Sequence, residues 1–245
     1  MEKVKRMPVQ GWKICALLLL TTISSSGAAH VYLVFHATMN GKTGHTGIAI
    51  DNYQVILHEE QHNGRDIFRK DTVRSGKLTY YDFWTKNDQT DKKLIFRDQP
   101  PRYYKLPLAA WEPDITLEYL LGKGMPYHYG YTVEGLIRMV TTPDQDEKIK
   151  NRLDSLIALN RSFHAITWNC SDFAEYAIEL AAGEEINAKE FIWGGFSTTP
   201  NKLFRKASCL KGAEILRDPG KVVYGTFLVE RIWKRVHQRW ARSPR

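Results

Sequence analysis

A chain of 245 residues with 43% apolar and 25% charged residues has the makeup of a globular protein with one well-cored domain; two full domains would be cramped. The formal charge of +8 suggests a nucleic-acid binder until it is located. Residues 1–29 carry +3 and residues 230–245 carry +5, so residues 30–229 are neutral overall and are not built to hold a polyanion.

Lys3, Lys5, Arg6 and Lys13 precede an apolar run, Ile14 to Leu20, and a small-residue stretch, Ser24 to Ala29. The run falls short of the about 20 residues that a membrane span needs. The pattern predicts a signal peptide over residues 1–29, cut near Ala29, and export to the periplasm or beyond, with an uncleaved anchor as the alternative. Cys15 leaves with that segment. Cys170 and Cys209 remain, and in an oxidising compartment they could pair.

Val31–Phe35 is apolar and β-branched and reads as a strand. Met39–Gly44 is a polar turn. Thr46–Ile50 and Tyr53–His58 read as two strands of a hairpin with Asp51-Asn52 at its tip. Strand-like pieces follow at Leu78–Trp84 and Leu94–Arg97, and Pro100-Pro101 breaks the chain. Asp114–Leu121 reads as a helix closed by Gly122-Lys123-Gly124, before an aromatic loop, Gly124–Tyr131. Helical periodicity covers Asp144–Leu159 and Asn169–Ala182, the second closed by Gly183. Thr199 and Pro200 cap and open a further helix. Val222–Val229 reads as a late strand. Residues 230–245 read as a basic helix, docked on the domain or, alternatively, lying on a membrane surface. Early strands and later helices predict an α+β fold, with the main domain spanning residues 30–229.

The chemistry points to Cys170. Asn169 is a good N-cap, which sets Cys170 at the first helical position, where free N–H groups favour a thiolate and an oxyanion. The expected base is His45, set among small residues in Gly44-His45-Thr46-Gly47. The predicted hairpin would bring His58 beside His45 as the orienting group, with Glu59 and Glu60 as alternatives. His62, His128, His164 and His237 share no spacing, and Asp172 reads as a first-turn helix carboxylate. No Cys-x-x-Cys or His-Glu-x-x-His pattern appears, so no metal and no cofactor is expected.

Gly44-His45-Thr46-Gly47-Ile48-Ala49-Ile50-Asp51, His58 and Asn169-Cys170-Ser171-Asp172-Phe173 resemble the circularly permuted NlpC/P60 group of papain-like thiol enzymes, to which lecithin:retinol acyltransferase-like proteins belong. In that group the histidine strand precedes the cysteine helix. Gly124-Met125-Pro126-Tyr127-His128-Tyr129-Gly130 resembles its Gly-x-Pro-Tyr-x-x-Gly loop, and Thr199-Pro200-Asn201-Lys202-Leu203 its Thr-Pro-x-x-Leu helix start. The resemblance spans residues 44–60 and 124–205; residues 61–123 match nothing. It implies an antiparallel sheet packed on the cysteine helix, catalytic Cys170, His45 and His58, and Tyr127 and Asn169 at the substrate. It also implies amide hydrolysis in cell-wall peptides. The alternatives are acyl transfer or phospholipid cleavage by the same thiol, and an inactive binding module with a Cys170–Cys209 disulfide. The expected partner is therefore a peptide or a lipid.

Overall fold

The computed structural model describes residues 28–38, 43–62, 65–86, 97–109, 112–128, 131–192 and 195–224. The signal segment up to residue 27, most of the Leu94–Arg97 strand and the basic helix from residue 230 lie outside them. No helix among the described residues is long and apolar enough to cross a membrane.

The fold is α+β. Strands β1 (Ala29–His36), β2 (His45–His62), β3 (Arg65–Thr85), β4 (Pro101–Leu106), β5 (Gly135–Thr141) and β8 (Ala213–Arg217) form one antiparallel sheet in the order β4-β3-β2-β1-β5-β8. Strands β6 (Lys189–Ile192) and β7 (Gly195–Thr198) make a separate hairpin. The helices are α1 (Leu117–Lys123), α2 (Pro143–Leu159), α3 (Cys170–Ala182) and α4 (Pro200–Ala207).

Strand alternation divides the core in two. One set of side chains, including Leu33, Ile48, Ile50, Tyr81 and Phe83, packs with Phe173, Ala177 and Ile178 of α3, Leu153 of α2 and Leu203 of α4. The other set, including Tyr32, Val34, Ala49 and Tyr80, packs with Leu120 of α1 and Met125. The helix ends follow the sequence signals. Thr142 and Gln145 form a reciprocal capping box on α2, Thr199 caps α4 ahead of Pro200, and Gly183 closes α3 in the left-handed conformation.

Three expectations are corrected. Asp51-Asn52 is no hairpin tip. β2 runs through it with a bulge between Asp51 and Tyr53, and pairs with β3 as far as His62. Asn52 is held in place there, its Oδ1 accepting from Thr79 Oγ1 at 2.7 Å and Lys150 Nζ at 3.0 Å. Pro101 opens a strand instead of ending one, because β4 lies at the sheet edge, where a missing N–H costs no ladder bond. Of the expected late strand Val222–Val229, Val222–Tyr224 belongs to a 3-10 turn (Gly220–Tyr224) and residues 225–229 lie outside the described residues; the last described strand of the sheet is β8.

The root of the β2–β3 arm is tied to α2 by a buried carboxylate. Asp146 accepts from Tyr53 and Thr141 hydroxyls, both at 2.5 Å. Burial raises its pKa to about 6, against the pull of those two hydrogen bonds. A carboxyl whose folded pKa is raised favours the fold below its unfolded pKa, and that contribution is lost as pH rises through about 6. Urea denaturation of the native chain and of Asp146→Asn should therefore diverge between pH 4 and pH 7. The native chain should lose roughly 1–2 kcal/mol relative to the variant over that range. Parallel profiles would show that Asp146 does not titrate there.

Candidate active site

Two sequence features build the site. The first is the start of α3. Asn169 Oδ1 accepts from the Ser171 and Asp172 amides, and Asp172 Oδ2 accepts from the Asn169 amide, a complete capping box. Cys170 occupies the first helical position, as expected, and is 4% exposed. The second is the start of β2. His45 pairs with His36 of β1 and is fully buried. Thr46 follows it, its side chain on the α3 side of the sheet, where its hydroxyl donates to Ser171 Oγ at 3.4 Å. Alternation then turns His45 toward Tyr80 and Asp82, both of which lie close enough to Cys170 to act on it electrostatically.

His45 meets a carboxylate there. Its Nε2 lies 2.7 Å from Asp82 Oδ1, and both side chains have no exposure. Asp82 Oδ2 accepts from Tyr80 Oη at 3.0 Å and lies 3.0 Å from His128 Nε2. The His128 ring sits 4.0 Å from the His45 ring, and Trp84 and Tyr131 close on its edges at 5.0 and 6.0 Å. Nδ1 of His45 is buried and has no hydrogen-bond partner. Burial lowers the His45 pKa to about 4, although Asp82 pulls the other way, so the ring rests neutral. With Nε2 facing the carboxylate, the proton belongs on Nε2 and the lone pair on Nδ1. Burial pushes the Asp82 carboxyl upward, but His128 and His45 together overcome it and hold the carboxyl below its usual range.

The thiol behaves differently from the sequence expectation. Burial carries the Cys170 pKa up to about 12, outweighing the Thr46 backbone N–H and the Ser171 and Thr46 hydroxyls that pull it down. The helix start alone does not make a thiolate here. The thiol and the imidazole are not hydrogen-bonded to each other, since Nδ1 has no partner. They are joined through the strand: Thr46, next in sequence to His45, meets the sulfur with its backbone N–H.

The other expected site residues are redistributed. His45 and His58 lie thirteen residues apart on the single strand β2, roughly 40 Å at the usual strand rise, so His58 cannot orient His45. His58 is half exposed on the arm, 3.5 Å from Asp71, with Glu59 and Glu60 beyond it on the same strand. The side chain that meets His45 is instead Asp82 of β3. Its one sequence signal is a lone carboxylate inside an aromatic strand, Tyr80-Tyr81-Asp82-Phe83-Trp84. Tyr127, in a left-handed conformation at φ 59, is 45% exposed, stacks on Tyr104 and donates to Glu112; its neighbour His128 is the loop residue that reaches Asp82. Asn169, expected at the substrate, is a cap and a tether here. Its Nδ2 donates to Ala165 O, Ser197 Oγ and Thr198 O, so its polar atoms are spent within the fold. Cys170 and Cys209 are separate free thiols, one buried and one exposed, so the expected alternative of a disulfide does not form.

Gly47 makes room for this arrangement. A Cβ there would lie 2.2 Å from Tyr80 Oη, the hydroxyl that donates to Asp82. Gly47→Ala should displace Tyr80 and cost roughly 1–3 kcal/mol in chemical denaturation, through overpacking and a lost donor to a buried carboxylate. A cost within measurement error would mean that Tyr80 is not confined by β2.

Comparison of the chain with protein-family models, with curated proteins and with solved structures finds no match in any of the three.

Proposed function

We propose that the protein is a thiol hydrolase of papain-like design in permuted order, with Cys170 as nucleophile, His45 as base and Asp82 as the group that orients the base. The observation that carries this reading is the buried His45–Asp82 pair: Nε2 is engaged by the carboxylate at 2.7 Å, and Nδ1 is left without a partner one residue from the strand amide that meets the thiol.

In the reaction, Cys170 Sγ leaves the Thr46 amide and gives its proton to His45 Nδ1. The resulting thiolate attacks the substrate carbonyl and forms a tetrahedral oxyanion. The amides of Ser171 and Asp172 are taken by the Asn169 cap, so the Cys170 amide is the helix-start donor assigned to that oxyanion. Nδ1 returns the proton to the leaving amine as the C–N bond breaks, leaving a thioester. Water, deprotonated by Nδ1, then releases the acid and restores the thiol. Asp82 stabilises the imidazolium formed at both steps and holds the ring in the tautomer that leaves Nδ1 free. Burial of the thiol fits this order of events, because a neutral resting sulfur is activated only when its proton has somewhere to go.

The amide bond and a cell-wall peptide as substrate follow from the resemblance at residues 44–60 and 124–205 and from the export signal read in residues 1–29. Purified muropeptides are the test substrate. Cys170→Ala and His45→Ala should each lower turnover by about a thousandfold or more, and Asp82→Asn by about a hundredfold or more. Cys209→Ser should be as active as the native chain. Full turnover by Cys170→Ala would remove the mechanism. Turnover of phospholipid vesicles in place of muropeptides would keep the thiol and change the leaving group from an amine to an alcohol.

A further inference from the structure

We propose that His45, Asp82 and His128 form a binding site for a transition-metal ion of the zinc class, and that a bound ion and an active thiol exclude one another. One donor atom from each of the three residues lies within 4.8 Å of the other two. Two imidazoles and a carboxylate are a zinc donor set, and the nitrogen donors select against magnesium and calcium. The carboxylate stands between the two rings, Oδ1 at 2.7 Å from His45 Nε2 and Oδ2 at 3.0 Å from His128 Nε2. Ligand atoms of a tetrahedral zinc site are about 3.3 Å apart at ordinary bond lengths, so the two carboxylate–imidazole pairs open by only about half an ångström and the two imidazoles, within 4.8 Å of each other, close on the ion.

The surroundings favour a cation. Asp82 is a carboxylate with no exposure, and the acidic member of the three ligands. Tyr80 donates to it from outside the ligand set, the kind of outer partner that fixes a metal carboxylate. Two ligands come from neighbouring strands β2 and β3 and are held by the sheet. The third comes from the loop after α1, and its side chain is 10% exposed, which gives the site an edge toward solvent.

The unpartnered nitrogen of His45 makes the site more than a cluster of ligands. Nδ1 is buried with no acceptor or donor, while Nε2 carries the proton toward Asp82. An ion bound to Nε2 needs that lone pair. The Nε2 proton then passes to Nδ1, and the imidazole stays neutral. With its proton on Nδ1, His45 is a donor and can no longer accept the proton of Cys170. This second half rests on the thiol mechanism proposed above; the binding itself does not.

The test uses the full chain stripped of metal and titrated with Zn2+ against a chromophoric chelator. One ion should bind per chain. Affinity should fall at least about tenfold in Asp82→Asn and in His128→Gln, the latter at the site's edge where folding is least at risk, and should persist in Cys170→Ala. Native protein loaded with Co2+ should show d–d bands without a thiolate charge-transfer band, a readout that needs no variant. Binding that survives both ligand variants, or that vanishes in Cys170→Ala, would overturn the site, as would a thiolate band. Zn2+ should also slow iodoacetamide alkylation of Cys170 at least about tenfold in the native chain and leave the rate in His128→Gln unchanged. Stoichiometric zinc with unaltered alkylation would overturn the exclusion alone. A Cys170 that stays unreactive in metal-free protein would instead count against the thiol mechanism, with the zinc titration still deciding the site.

Discussion

A carboxylate with no access to water is the constraint around which the rest of the site is organised. Asp82 lies between two imidazoles and under a tyrosine hydroxyl, and an unpaired charge at that depth would cost several kcal/mol. The neighbouring strand answers it. His45 offers Nε2, Gly47 clears space for the Tyr80 ring, and the small Ala49 is the residue paired with Tyr80. Gly44-His45-Thr46-Gly47 is thus best understood as the shape of a strand passing over a buried anion. Of the small neighbours of His45, Gly47 makes room for Tyr80 and Gly44 for Thr38 and the His36 carbonyl.

The same carboxylate decides between two accounts of the thiol. The start of a helix stabilises an anion by about 0.3–1 kcal/mol. Moving a thiol from its ordinary pKa to about 12 corresponds to about 4 kcal/mol in the opposite direction. Burial wins by a wide margin, and Asp82 adds to it by its own charge. A nucleophile in such a place depends on a partner base rather than on its backbone. His45, neutral and with one nitrogen unengaged, has the protonation state that such a partner requires.

Local signals in the sequence were reliable where the chemistry is local. The caps at Asn169 and Thr199, the closing Gly183 and the apolar periodicity of α2 and α3 each rest on contacts within a few residues, and all were legible. Cys170 at the head of α3 and His45 at the head of β2 came from the same kind of reading. Asp51-Asn52 misled because a favourable turn dipeptide is also a favourable bulge. What distinguishes the two is Thr79 and Lys150, both far away in the chain. Asp82 and His128 were invisible for a related reason. Neither belongs to a spacing pattern, and they become partners of His45 only when β3 pairs with β2 and the loop after α1 folds back. Strand β5 was missed as well, although it supplies the second neighbour of β1.

The placement of β1 has a consequence for how the molecule assembles. β2 and β3 are joined through the short connection after His62, and their pairing is a local event of the kind that forms in microseconds. β1 takes β2 on one side but β5 on the other, with Ala29 opposite Thr141. Closing that second ladder joins residues a hundred or more positions apart, a contact of high order that carries a large loop-closure entropy. Until it forms, one edge of the central strand is open, and His36, the residue across from His45, has its ring unanchored. Its Nδ1 bonds Thr132 O at 2.9 Å, and that carbonyl stands just ahead of β5. The surroundings of His45 are therefore complete only when the sheet is, and the pairing proposed for Cys170 and His45 depends on both.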